Sequence, residues 1–348
     1  QSTFKRENGM EELHSIDLIA LQETAEEKQH DFIPKSFDDY LGQEELKNKL
    51  RVYTQAAKMR NEPLDHLLLF GPPGLGKTTL SQIMAHIMEV GIKICSGPMM
   101  ERTGDLVSIL SSLDPRDILF IDEIHRMPVQ VEEVLYSAME HFRVDIIIGQ
   151  GAGAKSINLP IHPFTLIGAT TQSGKISAPL HSRFGITERI DFYTDEELQK
   201  IVLQTSTFLN LPITDEAALL IGKSARGTHR IAKKIFRRIR DFAQVQHKTE
   251  ADIHLTKEAL LFLGIDDDGL SIVDNLILRK ILENFNGGPV GLETISSIIG
   301  EDRDTIEAVY EPFLLRKGYL EKTARGRQIS YKKLPFLKKK YFGQELLV

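Results

Sequence analysis

FGPPGLGKTTL, residues 70–80, fits the pattern G-x-x-x-x-G-K-[ST] through Gly71, Gly76, Lys77 and Thr78. The apolar run LLLF at 67–70 leads into it and a helical pattern follows. A strand, a glycine-rich turn and a helix in that order make a loop that wraps a phosphate. Its backbone N–H groups and the helix N-terminus point at the anion. Lys77 would reach the β- and γ-phosphates of a nucleoside triphosphate, and the Thr78 hydroxyl would ligate Mg²⁺. ATP and Mg²⁺ are the expected cofactors.

The next element outward is ILFIDEIHR at 118–126. An apolar strand ending in two acids puts Asp122 at the C-terminal edge of a sheet, where open α/β sheets bind ligands. Asp122 would hold Mg²⁺ through water, and Glu123 would orient and deprotonate the attacking water. Thr170 and Thr171 close the run FTLIGATT, where a hydroxyl can sense a γ-phosphate or hold the lytic water. Arg183, in LHSRFG, suits an arginine finger aimed at a neighbouring subunit's γ-phosphate. Arg230, in ARGTHRIAKK, starts a helix and could reach back over the nucleotide. His125 and Cys95 have no second His or Cys at metal-ligand spacing and read as core or surface residues. His229, beside Arg230, could tune nucleotide contacts but reads first as a surface histidine.

Elsewhere the chain alternates between strands and helices. Short apolar runs at 67–70, 92–95, 118–121, 164–168 and 189–193 read as buried strands with helical patterns between them. That alternation implies βαβ crossovers and a parallel sheet over residues 32–193. The 145–165 segment, Gly/Ala-rich at its centre, reads as a hairpin inserted in this domain. Residues 194–266 read as helices, opening with Thr194 as a cap above Glu196 and Glu197. A third block, 267–348, has a helix over 270–285, a GGP turn at 287–289 and helices near 291–299 and 304–316. It closes on the strand-like YLEKTARGRQISYK, the order of a winged helix.

Composition narrows the class. The 348 residues carry 43 Lys+Arg against 49 Asp+Glu, a net charge of −6, with 41% hydrophobic residues, enough for separate cores in two or three domains. One cysteine, Cys95, excludes a disulfide framework or a Cys-cluster metal site and suits a reducing compartment. No run approaches the length of a membrane span. Charge is unevenly spread. The leader 1–31 holds eight acids and three bases, whereas Lys322 to Gln344 holds eight bases and no acid. The leader reads as disordered or loosely docked, and Gln1 in place of Met suggests a trimmed start. The basic wing, with Lys322, Arg325 and Arg327, fits phosphate contact without base readout.

The P-loop, DEIHR, GATT, SRFGI and ARGTHRIAKK in this order resemble an AAA+ ATPase. DHLLLFGPPGLGKTTL (65–80), LFIDEIHR (119–126), PFTLIGATT (163–171) and SRFGI (182–186) resemble the RuvB family of Holliday-junction branch-migration motors. RIRDFA (238–243), NGGPVGLETI (286–295), EDRDTIEAVYEPFL (301–314) and TARGR (323–327) agree, so the resemblance spans about Phe32 to Arg327. It implies an AAA+ P-loop parallel-sheet domain, an all-helical lid and a C-terminal winged helix. It implies a cytoplasmic, ATP-driven homo-hexamer that encircles duplex DNA at four-way junctions in recombination and repair. A RuvA-type junction-binding partner and a RuvC-type resolvase come with it, and no membrane.

Carried over by position, Gly74, Gly76, Lys77, Thr78 and Thr79 bind phosphates, Thr78 and Asp122 serve the metal, and Arg183 is the finger in trans. Arg230 is the lid sensor, Phe32, Ile33 and Tyr193 match adenine-side contacts, and Arg303, Lys322 and Arg327 match DNA contacts. The 145–165 hairpin corresponds to the surface that meets RuvA. The chain departs from the family pattern at Ile33, where Arg is usual, and at GTHR (227–230) and KTARGR (322–327), where the pattern is GTPR and RTPRGR. The other reading of a P-loop domain joined to a winged helix is an ATP-controlled DNA-binding switch or loader, which hydrolyses slowly and moves nothing. A protein unfoldase would need an aromatic pore loop and a substrate domain, and the sequence offers neither.

Overall fold

The structure, a computed structural model, describes residues 32, 34–148 and 155–343. The acidic leader, Ile33 and the tip of the 145–165 hairpin lie outside the described residues. Two compact units meet in sequence at Tyr193 and Thr194.

In the first unit, α1 (Glu44–Arg60) precedes β1 (Leu67–Phe70), α2 (Lys77–Met88), β2 (Ile92–Ser96), α3 (Thr103–Ser111), β3 (Ile118–Asp122) and α4 (Val129–His141). The hairpin of β4 (Arg143–Ile148) and β5 (Lys155–Pro160) follows, then β6 (Thr165–Thr170), α5 (Ala178–His181) and β7 (Ile186–Arg189). Five strands form one parallel sheet in the order β2-β3-β6-β1-β7. Central strands buried on both faces must be apolar throughout, and β3 and β6 meet that demand, with Leu119, Phe120, Leu166 and Ile167 fully buried. Because β6 lies between β1 and β3, with Phe70 level with Thr170, the end of β6 reaches the start of the phosphate loop. The Gly71 N–H donates to the Thr170 carbonyl at 3.1 Å.

The edge strand lies earlier than the apolar run at 189–193 suggests. Residues 186–189 pair with β1, and exposure alternates along them as an edge strand requires. Apolarity picks out the wrong stretch because Ile190 and Tyr193 are buried after the strand has ended.

The second unit opens with four helices: α6 (Asp195–Phe208), α7 (Asp215–Ser224), α8 (His229–Val245) and α9 (Ile253–Phe262). Thr194 caps α6 in a reciprocal box, its hydroxyl accepting from the Glu197 N–H at 3.1 Å while Glu197 accepts from the Thr194 N–H at 2.8 Å. His229, at the first position of α8 where the family pattern has Pro, leaves the helix intact because the Thr228 hydroxyl caps it. The winged helix contains α10 (Ile272–Phe285), α11 (Leu292–Ile299), α12 (Arg303–Thr305), a π turn over Ile306–Tyr310 and α13 (Glu311–Arg316). The antiparallel wing β8 (Leu320–Thr323) and β9 (Gly326–Ile329) follows, then α14 (Leu334–Phe342). Its core gathers Ile277, Leu278, Ile281, Phe313, Leu314 and Leu337. The basic C-terminal stretch is therefore partly structural, and Lys340 binds Asp266 and Asp268 at 2.7 and 2.6 Å.

A buried ion pair joins the helical block to the winged helix. Arg226 is 5% exposed and donates to Asp274, 0% exposed, at 2.6 and 3.1 Å, and to the Val309 carbonyl at 2.9 Å. Asp274 also accepts from the N–H and hydroxyl of Ser271 at 2.8 and 2.7 Å. Removing one member of such a pair strands the other without water. Arg226→Ala is expected to lower unfolding free energy by about 3–5 kcal/mol. Urea denaturation checks this, and a loss below about 1 kcal/mol would place the pair among weak surface contacts.

Candidate active site and nucleic-acid face

Glycines shape the loop between β1 and α2. Gly71 has φ 147°, and a Cβ there would stand 2.2 Å from the Ile190 carbonyl oxygen. Gly74 and Gly76 have φ 74° and 90°, and Gly76 has no side chain with which to cap α2. The first-turn N–H groups, those of Lys77, Thr78 and Thr79, have no acceptor within the helix and form an anion seat. Lys77 is buried in the loop, its ammonium donating to the Gly71 and Pro72 carbonyls at 2.8 Å each. Donor array, fixed cation and absent Cβ atoms together fit a triphosphate.

Two tyrosines brace the loop at Leu75. The Tyr40 hydroxyl donates to the Leu75 carbonyl at 2.8 Å, and the Tyr193 hydroxyl donates to Tyr40 at 2.6 Å. Both rings are buried. Tyr193 thus stands against the P-loop apex, and Tyr40 joins it without any local sequence signal. Phe32 is half-buried near the start of the unit.

The acid pair closes β3. Asp122 accepts from the Glu123 N–H at 3.0 Å, and Glu123 sits in the left-handed region at φ 48°. Glu123 Oε2 accepts from the Thr171 hydroxyl at 3.2 Å and lies 3.2 Å from His125 Nδ1. The same Nδ1 is 2.8 Å from Thr170 Oγ1, which accepts from the Gln172 N–H at 3.0 Å. Thr170 is fully buried and the His125 side chain is 6% exposed. Burial lowers the His125 pKa. Glu123 opposes that shift, and Lys175 and Arg126 add to it. His125, which the sequence presents as a bland neighbour of the acids, therefore touches both Glu123 and Thr170. Cys95 is inert, its Sγ donating to the Phe120 carbonyl at 3.3 Å and burial pushing its pKa up to about 12.

Arg183 follows α5. Its guanidinium lies 4.4 Å from the centre of the Tyr136 ring, donates to the Pro179 carbonyl at 2.6 Å and forms an ion pair with Glu140 at 3.1 Å. Its Nε is buried with no hydrogen-bond partner among the described residues. The Tyr136 hydroxyl and the Ser177 hydroxyl both donate to buried Glu132, fixing the ring on which Arg183 rests.

In the second unit Arg230 is half-buried on the first turn of α8. The neighbouring His229 has its pKa pushed down to about 3, by burial first and then by the charges of Lys233 and Arg230. On the winged helix, Arg303 donates to Glu293 at 2.6 Å, both side chains exposed. Arg325 is exposed in the turn between β8 and β9. Lys322 and Arg327 converge on buried Glu311, Arg327 Nε donating at 2.6 Å. Burial would raise the Glu311 pKa, but the two cations hold it below the usual carboxylate range. Arg327, with its side chain 18% exposed, and Lys322 both brace the wing through Glu311, while Arg325 is exposed at its turn. Glu311 is hidden in the sequence inside a helix-like EPFLL.

Family models for the Holliday junction DNA helicase RuvB P-loop domain, the RuvB AAA lid domain and the RuvB C-terminal winged helix domain match residues 32–190, 193–266 and 267–338. The chain belongs to the RuvB family. A Staphylococcus saprophyticus protein described as Holliday junction branch migration complex subunit RuvB is 54% identical over 295 residues, covering 85% of this chain and 88% of that one. A Lactobacillus johnsonii protein of the same description is 50% identical over 299 residues, covering 86% and 88%. The structure of the Thermotoga maritima RuvB Holliday junction branch migration motor has a TM-score of 0.77 at 44% identity, covering 90% of this chain and 99% of that chain. As a RuvB-family member the chain is an AAA+ ATPase with a nucleotide-binding P-loop domain, a helical lid and a winged helix. No described helix is long and apolar enough to cross a membrane.

Proposed function

We propose that this chain is an ATP-driven ring motor that moves duplex DNA and drives branch migration at four-way junctions in the cytoplasm. It works as a homo-hexamer with a RuvA-type partner, and a RuvC-type resolvase cuts the product. The observation that carries the reading is the placement of Glu123, Thr170 and Thr171 within hydrogen-bond reach of the same small cluster, where β6 meets the phosphate loop. A carboxylate set beside the sensing hydroxyl supports turnover of bound nucleotide, and the response of that turnover to DNA separates a motor from a switch.

The working parts are the ATPase domain 32–193, the lid 194–266 and the winged helix 267–348. The loop residues from Gly74 to Thr79 hold the phosphates, Glu123 takes the water's proton and Thr170 senses the γ-phosphate. Thr78 and Asp122 would hold Mg²⁺, which supplies charge neutralisation of the phosphates when bound. Arg183 serves a neighbouring subunit's site and Arg230 the lid side of its own. Phe32, Ile33 and Tyr193 would serve as adenine-side contacts, and the β4–β5 hairpin would meet the RuvA-type partner. Arg303, Lys322, Arg325 and Arg327 form the DNA face.

The test is ATP hydrolysis against DNA form and salt, with and without a RuvA-type partner. The rate is expected to rise with linear duplex and further with a four-way junction plus partner. A slow rate indifferent to DNA, alongside intact ATP-dependent DNA binding, would leave the switch reading standing instead. On the DNA side, log affinity should fall with log salt by about 0.9 per phosphate neutralised. Arg325→Ala, at the exposed wing turn, should reduce that slope by about 1 without changing sequence preference. An unchanged slope would remove Arg325 from the DNA face.

A further inference from the structure

We propose that His125 is a positioning residue for ATP hydrolysis, coupling the hydroxyl of Thr170 to the carboxylate of Glu123 through its Nδ1 atom. The inference rests on Glu123 being the base and Thr170 the sensor.

Proton counting carries the argument. His125 Nδ1 lies 2.8 Å from Thr170 Oγ1 and 3.2 Å from Glu123 Oε2. An ionised carboxylate only accepts, so the contact with Glu123 is favourable only when Nδ1 bears the proton. A ring with Nδ1–H donates to the Thr170 oxygen and sets its positive edge 3.2 Å from Glu123 Oε2, an electrostatic attraction. Thr170 already accepts from the Gln172 N–H. Its own hydroxyl proton is then left to donate elsewhere, to a phosphate oxygen or a water. With the proton on Nε2 instead, Thr170 donates to bare Nδ1, and Glu123 faces a lone pair and loses its hold. Whether the Thr170 proton is engaged by a phosphate thus decides which tautomer is stable, and the tautomer decides whether Glu123 is gripped. Thr171 holds the same Oε2 atom at 3.2 Å, which leaves Oε1 to receive the water's proton. A ring with only 6% of its side chain exposed has little access to water as an alternative partner, so these contacts govern its orientation.

Substitutions that mimic one ring nitrogen at a time test this, because the Asn amide stands where Nδ1 stands and the Gln amide reaches toward Nε2. His125→Ala is expected to lower kcat for ATP by about 10- to 100-fold with KM nearly unchanged, the size of a misplaced reacting group. His125→Asn should recover most of that loss, and His125→Gln, which fills the volume better, should not. Equal recovery by both, or a parental kcat in His125→Ala, would reduce His125 to packing. Thermal unfolding midpoints of the Asn and Gln variants keep the comparison valid even where the Ala variant folds poorly. In a Thr170→Val background the His125→Ala change should add less than about threefold, since coupled residues are not additive. A fully additive loss would overturn the coupling. Glu123→Gln separates the two levels. If it still turns over ATP, the base assignment falls and takes this inference with it. If it is dead while His125→Ala matches the parent, only this inference fails.

Discussion

Glu123→Gln is expected to lower ATP turnover by about 10²- to 10⁴-fold, the range over which a positioned general base acts. The substitution keeps the volume and most hydrogen-bonding capacity. Oε2 accepts from the Thr171 hydroxyl, and a glutamine oxygen can accept there equally well. What disappears is the charge and with it the ability to take the water's proton. ATP binding should survive, because the phosphate contacts reside in the loop, where Lys77 and the first-turn N–H groups of α2 stand apart from β3 in sequence. The expected result is thus a large fall in kcat, intact nucleotide affinity and intact assembly on DNA. Single-turnover hydrolysis with a nucleotide-binding titration measures both. A variant that hydrolyses at the parental rate would show that the proton goes elsewhere, and a variant that fails to bind ATP would show that Glu123 is structural. Branch migration should stop together with hydrolysis. Continued migration by the inactive variant would sink the motor reading, because thermal drift of a junction would then account for the movement.

How much of this was legible in the sequence depends on how far apart the cooperating residues are. The phosphate loop is read directly because every part of it, Gly71 to Thr79, lies within one strand-turn-helix unit. The acids at 122 and 123 are legible for the same reason, and their nearness to Thr170 follows once a parallel sheet is granted. The bracing of the loop is not. Tyr193 and Tyr40 are 153 residues apart, and nothing near Tyr40 distinguishes it from any other buried ring. His125 reads as bland because metal-ligand spacing is the wrong question for it. Its partners are a hydroxyl 45 residues away and a carboxylate two positions earlier. The cations of the wing are visible as charges, but only the fold reveals that buried Glu311 engages two of them. Arg226 and Asp274, 48 residues apart, are in the same class, since long-range pairs of opposite charge leave no local periodicity. The edge strand at 186–189 was misplaced because apolarity marks burial, and at a sheet edge burial and hydrogen bonding part company.

Arg183→Ala is expected to lower turnover by about 10³- to 10⁵-fold, the worth of a finger that neutralises charge on the transferring phosphoryl group. In this chain the guanidinium is held at the surface of its own unit, over Tyr136 and against Glu140 and the Pro179 carbonyl. That clamp fixes the direction in which a long, flexible side chain presents its charge, and Nε, buried and without a described partner, keeps one donor in reserve. Loss of the cation–π contact alone accounts for only about 1 kcal/mol of stability. A fall in turnover of three decades with a nearly unchanged unfolding midpoint therefore belongs to catalysis. Arg183→Lys separates charge from geometry: it keeps the cation but loses the planar fork, and should recover little. The decisive arrangement mixes subunits. Arg183→Ala chains retain an intact phosphate loop, and Lys77→Ala chains retain an intact finger. Each is inactive alone, yet in mixed rings a Lys77→Ala neighbour can lend its Arg183 to a competent loop. Recovery of hydrolysis on mixing, scaling with the fraction of such pairs, establishes action in trans. No recovery at any ratio would mean that Arg183 serves its own subunit, and its place against Glu140 and Tyr136 would then be its whole function.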